Sequence, residues 1–141
     1  GATETDIGGT LQISAGDSVE ISVRFRHPDG VNFNGDSPRV NRVDLIAGPV
    51  TGNVTDPNTN SSPDTRVVAR FDAGDWQQDG HYQTINYQFD AVDGPMYVRL
   101  RGTNTDALEP EVDERGENPW QDLWFYSNPV FIEIQPDTQA N

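Results

Sequence analysis

The stretch Val19-Glu20-Ile21-Ser22-Val23-Arg24-Phe25-Arg26 decides how the chain is read. Successive side chains of an extended chain point to opposite faces. Val19, Ile21, Val23 and Phe25 therefore share one face, and Glu20, Ser22, Arg24 and Arg26 share the other. That pattern describes a strand with one face in a core and one in water. The same period of two recurs in Val67, Ala69 and Phe71, in Ile85, Tyr87 and Phe89, in Met96, Val98 and Leu100, and in Val130, Ile132 and Ile134. Val43, Leu45 and Ala47 make a further candidate, and Leu11 with Ile13 opens the series.

Between these runs lie clusters of Gly, Pro, Asn and Asp: HPDG at 27–30, NGDSP at 34–38, GPVTGNVTDPNTNSSPDT at 48–65, DAGD at 72–75 and VDGP at 92–95. Such residues mark turns. No segment carries a helical apolar period. About seven or eight short strands separated by turns predict an all-β chain, an immunoglobulin-like antiparallel two-sheet sandwich. The segment 107–129, ALEPEVDERGENPWQDLWFYSNP, is too long and irregular for a hairpin loop and is read as a structured excursion whose aromatics pack back on the sandwich. One domain is expected over 1–134, with 135–141 as a tail or linker.

The 141 residues carry 9 basic and 23 acidic side chains, a net charge of -14, and every basic residue is Arg. So negative a chain repels phosphate backbones and anionic lipid, which argues against nucleic acid and against insertion in a membrane as partners. Dense carboxylate without Lys also suits a protein kept soluble in strong salt, so a halophilic source is the preferred reading over an ordinary acidic extracellular module. The absence of Cys excludes disulfides, thiolate metal sites and cysteine nucleophiles.

Catalytic constellations are not found. The two histidines, His27 and His81, each stand beside a turn and form no paired metal motif. No nucleophile elbow, phosphate loop or dinucleotide fingerprint is present, and no pair among the acids is singled out for glycoside hydrolysis. A non-enzyme is therefore expected, with no cofactor required. Asp56, Asn58, Asn60 and Asp64 offer oxygen ligands at alternate positions of one loop, the pattern a calcium ion uses. Ser61 and Val67 replace the Gly and Glu of an EF-hand, and a polar, turn-rich loop accounts for the same residues. The acids Glu109, Glu111, Asp113, Glu114 and Glu117 form a second cation candidate or a solvated face. For carbohydrate, Trp76 in the turn DAGDWQQDG is the candidate stacking ring, whereas Trp120 and Trp124 are expected to anchor the excursion to the core.

Three stretches, NRVDLIAGPVTG at 41–52, MYVRLRGTN at 96–104 and PWQDLWFYSNPVFIEI at 119–134, carry a resemblance. Together they resemble the C-terminal β-sandwich accessory module of secreted bacterial and archaeal phosphoesterases with PHP-type or calcineurin-like metal-dependent catalytic domains. The resemblance covers about half of the chain and implies a non-catalytic module, extracellular or at the cell surface, whose partner is the catalytic domain of the same protein. The metal ligands of that family belong to the preceding domain, and their motifs do not occur here. A calcium-dependent carbohydrate-binding module and a surface-layer or adhesion domain are the alternatives. On the physical reading, Arg99 and Arg101 alternate with Val98 and Leu100 and are expected on the outward face, free to pair with acids.

Overall fold

The computed structural model describes residues 4–136, so the last part of the expected tail, 137–141, lies outside the described residues. The described residues form nine strands and no helix: β1 (Thr10–Ile13), β2 (Asp17–Phe25), β3 (Arg42–Pro49), β4 (Arg66–Asp72), β5 (Gln77–Asp79), β6 (Tyr82–Val92), β7 (Met96–Thr103), β8 (Trp124–Tyr126) and β9 (Val130–Ile134). They make two sheets. One runs β1-β9-β7-β3-β4, with β8 as a sixth strand on β7, and the other runs β2-β6-β5. All pairings are antiparallel except β1 with β9. No helix among the described residues is long and apolar enough to cross a membrane.

Every alternating run is a strand, and its apolar face lies between the sheets, except that a register irregularity between Leu45 and Ile46 sets Val67 opposite Ile46 and packs Val68, not Val67, against the core. Val19, Leu45, Ala47, Val92, Val98 and Ile132 form one buried cluster, and Val23, Val43 and Ile85 form a second. Ile21, Phe71 and Leu100 pack against both and join them into one core. Burying each Val, Leu or Ile contributes about 1.5–3 kcal/mol.

β5 and β8 lack the alternating signal. β5 consists of Gln77, Gln78 and Asp79 and exists because a two-residue turn, Gly80 then His81, folds it onto the start of β6. Gly80 takes a φ of 61°, the conformation that a two-residue hairpin turn requires at its first position. β8 and β9 take successive lengths of one edge of β7: β8 pairs Arg101–Thr103 and β9 pairs Met96–Val98. Leu100 falls at the join. Its N–H donates to Ser127 Oγ at 2.9 Å and its carbonyl accepts from Ser127 N at 3.0 Å, so Ser127 carries the ladder across the bend before Asn128-Pro129.

Candidate functional site

Two arrangements of polar groups stand out, on different faces. On the outer face of the larger sheet, the register sets Asp44 of β3 directly between Arg70 of β4 and Arg101 of β7, with Arg42 two residues earlier on β3. Asp44 Oδ1 accepts from Arg42 Nε at 2.8 Å. Its Oδ2 accepts from Arg70 Nη1 at 2.9 Å and from Arg101 Nη2 and Nε at 2.8 and 3.1 Å. Asp44 is 1% exposed and Arg101 6% exposed.

The remaining guanidinium N–H groups hold the excursion after β7. Arg42 donates to the carbonyls of Asp106 and Ala107, and Arg101 to that of Leu108 and to Glu109 Oε2 at 2.6 Å. Arg70 reaches the Leu108 carbonyl and lies 3.6 Å from Glu109. Arg101 also lies 5.3 Å over the Trp124 ring. The expectation for Arg101 is thus corrected in one respect: it faces outward and pairs with acids, but the excursion covers it. Arg99 sits over Tyr126 at 5.7 Å. With both oxygens of Asp44 occupied, this cluster fastens chain to chain and presents no free reactive group.

The second arrangement is a cleft of about 610 Å³ at one end of the sandwich, within the roughly 300–1,000 Å³ usual for small-molecule sites. It is built by a change of residue type along the inward registers. Past Phe25, Val43, Ile85 and Leu100, the inward positions of β2, β3, β6 and β7 continue as His27, Asn41, Gln83 and Asn104, all of which line the cleft. The interior that is apolar between the sheets therefore becomes polar at its mouth. Gln78 stands opposite Gln83 in the β5–β6 register, and Trp76 closes the side.

Asn41 and Asn104 tie the excursion to this mouth. Asn41 Nδ2 donates to the Thr105 carbonyl and to Asp106 Oδ1 at 3.0 and 2.7 Å. Asn104 Nδ2 donates to the Trp120 carbonyl at 3.1 Å, and its Oδ1 accepts from Leu123 N at 2.7 Å. His27 Nδ1 accepts from Val40 N at 3.1 Å, which in the neutral ring leaves the proton on Nε2. Burial first, then the Arg39 charge, lowers the His27 pKa below 6.5 and favours that neutral form. Gln83 is 8% exposed and its amide, which makes no hydrogen bond within the described residues, opens on the cleft; the buried polar atoms without a partner among the described residues are instead Asn32 Nδ2 and Trp124 Nε1. Inward register past a core residue is the sequence signal that identifies Gln83, and reading the strands for apolar residues alone passes over it.

Trp76 is not a free turn residue. It packs on the Val23–Val43–Ile85 cluster, with its ring edge-to-face with Phe25 at 5.1 Å and with His27 at 6.4 Å, while it also lines the cleft. Its exposure is partial because the turn folds β5 onto β6.

Asp56, Asn58, Asn60 and Asp64 are all exposed. Asp56 Oδ1 accepts from Asn58 N and Nδ2 at 2.9 and 3.2 Å, a local turn closed by its own side chain. Of the acids at 109–117, Glu109 is bound to arginine and, with Glu111, Glu114, Glu117 and Asp122, lines a separate surface hollow that Asp113 does not reach. Burial first, then the charges of Glu117 and Asp113, raises the Asp122 pKa above 3.8. Among the described residues no three acidic or histidine side chains are grouped to hold a metal ion.

No family model, curated protein or solved structure matches this chain.

Proposed function

We propose that this chain is an immunoglobulin-like, non-catalytic accessory module that binds a ligand at the loop end of its sandwich. Gln83 carries this reading: its amide is held on a strand at the cleft, bonded to no other group of the described residues and open to the cleft's solvent, so it is placed to bond a ligand there. The strand order supports the immunoglobulin-like type. A first strand running parallel to the last, then β9-β7-β3-β4 against β2-β6-β5, follows the A′GFCC′ and BED sheets of that fold. In that fold the loops at one end carry recognition, and here the β2–β3 and β7–β8 connections meet Trp76 at the cleft.

The accessory role in an extracellular metal-dependent phosphoesterase rests on the resemblance of three stretches, which lie on the adjacent strands β3, β7 and β8–β9. The reading expects a metal-ligand-rich catalytic domain encoded next to this one. A gene without such a neighbour removes the phosphoesterase part. For the non-catalytic part, the purified chain is assayed on phosphomonoesters, phosphodiesters and aryl glycosides, with and without divalent metals. No turnover is expected, and turnover abolished by a single acid substitution would overturn the reading.

A further inference from the structure

We propose that the cleft takes an acidic saccharide, with a sugar ring against Trp76, its hydroxyls on Gln83 and its neighbours, and its carboxylate on Arg39. This inference rests on the binding-module reading above and names the chemistry of its ligand. Three observations on the lining residues lead to it.

The first is the kind of polar group present. Gln83 and Gln78 are neutral amides able to donate and accept, Gln78 with one N–H given to the Gly80 carbonyl, while Asn41, whose Nδ2 is taken by Thr105 and Asp106, offers its Oδ1 as an acceptor. A hydroxyl is likewise both donor and acceptor, so amides suit a polyhydroxylated ligand, whereas a bare anion needs donors alone. The His27 Nε2 proton adds a donor at the same mouth. The second is Trp76, whose ring is locked by Phe25 and the core and therefore offers a surface that loses little freedom on binding.

The third is charge. The chain has 23 acids against 9 arginines, yet no Asp or Glu lines this cleft. Arg39, which does line it, is exposed and, like Arg66, Arg99 and Arg115 but unlike the other five arginines, has no carboxylate within 4.0 Å among the described residues. A site for neutral sugars gains from carboxylate acceptors, which this chain has in surplus and withholds here. An unpaired guanidinium in a carboxylate-free cleft instead suits a ligand that brings its own carboxylate, which it can bind through two parallel N–H donors.

The test uses the whole chain labelled with nitrogen-15 at fixed high ionic strength. The probes are tetramers of galacturonate and of mannuronate, and the methyl ester of the first as a neutral match. An acidic tetramer should shift the Trp76 indole and Gln83 amide signals while leaving the Trp120 and Trp124 indoles in place. Methyl esterification should weaken binding by about tenfold or more, the loss expected for one charge-assisted pair. Arg39→Gln should weaken the acidic tetramer by a similar factor and leave the ester unchanged. Because truncating Trp76 also opens the core, Gln83→Leu is the second variant: it should lose binding while the thermal midpoint holds or rises.

Equal binding of acid and ester at the cleft overturns the acidic ligand and leaves the binding-module reading standing. No shift of cleft signals with any tetramer, or full binding by Gln83→Leu, overturns the saccharide assignment. Full binding by Gln83→Leu would also remove the observation that carries the binding-module reading, whereas its non-catalytic part falls separately, on turnover by the isolated chain.

Discussion

Asp44 sets one buried carboxylate among three guanidinium groups, and its ionisation is the main residue-scale determinant of acid stability. Burial by itself would raise its pKa. Hydrogen bonds from Arg42 and Arg101, with the charges of Arg42 and Arg70, outweigh that and hold it below 3.8. Glu109 is likewise lowered from 4.5, first by its hydrogen bond from Arg101. A carboxylate whose folded pKa is depressed contributes stability that is complete above its unfolded pKa and lost as pH falls through the folded value. Both groups therefore stabilise the fold fully above about pH 4.5, and the contribution decays below that. Asp44→Asn should cost about 3–5 kcal/mol at neutral pH, because it leaves buried guanidinium groups without their counter-charge. Urea denaturation across pH reads both effects: the variant should be less stable at neutral pH and show a shallower acid limb. A loss below about 1 kcal/mol with an unchanged acid limb would remove this account. Glu109, 65% exposed in its side chain, should matter much less, about 0–1 kcal/mol on conversion to Gln.

At the scale of the strand, β7 depends on small or bridging residues along the edge it shares with β8 and β9. Gly102 pairs with Phe125, whose ring occupies the space a Cβ would need. Gly102→Ala should therefore cost about 1–3 kcal/mol by overpacking, and Phe125→Leu should recover part of that loss in the double variant. Strict additivity in the cycle would show that the ring is not the obstacle. Ser127→Ala should remove the acceptor for the Leu100 N–H, costing about 1–3 kcal/mol and speeding hydrogen exchange at that amide. Unchanged exchange at Leu100 would mean that water serves the join equally well. The 50–65 connection closes its own turn through Asp56 and should give the same thermal midpoint with calcium or chelator at fixed ionic strength. A calcium-dependent rise, about 2.7 kcal/mol at a hundredfold excess over Kd and lost in Asp56→Ala with Asp64→Ala, would assign the ion to this loop instead.

Over the whole molecule a net charge of -14 makes self-repulsion a general destabilising term, and molar salt shortens its range to about 3 Å. The thermal midpoint should rise from dilute buffer to molar chloride, and a flat response would end the halophilic reading. The Asp44 cluster is covered, so the cost of Asp44→Asn should persist in high salt. The same contrast between local and distant causes separates what was legible in the chain from what was not. Side-chain alternation is a local property, so Val19 to Phe25 and the six other runs could be read as strands with their inward residues named, save Val67, which the irregular register against β3 replaces with Val68, and the turn clusters between them marked an all-β chain. His27, Asn41 and Gln83 follow from the same registers once the runs are extended by one inward position, and Asn104 by two, past Gly102. Nothing local marks Gln77–Asp79 or Trp124–Tyr126 as strands, because each is held by the partner it pairs with. Nor could Asp44, Arg101 and Trp76 be placed from their own neighbourhoods. Arg70, Asp44 and Arg101 meet only when β4, β3 and β7 come into register, and the group is buried only when the excursion after β7 folds over it. The sequence by itself determined the strands and their faces through a period of two. Which strands lie side by side, which outward face is covered and where the inward registers converge on a cleft were decided by tertiary structure, since each depends on contacts between residues far apart in the chain.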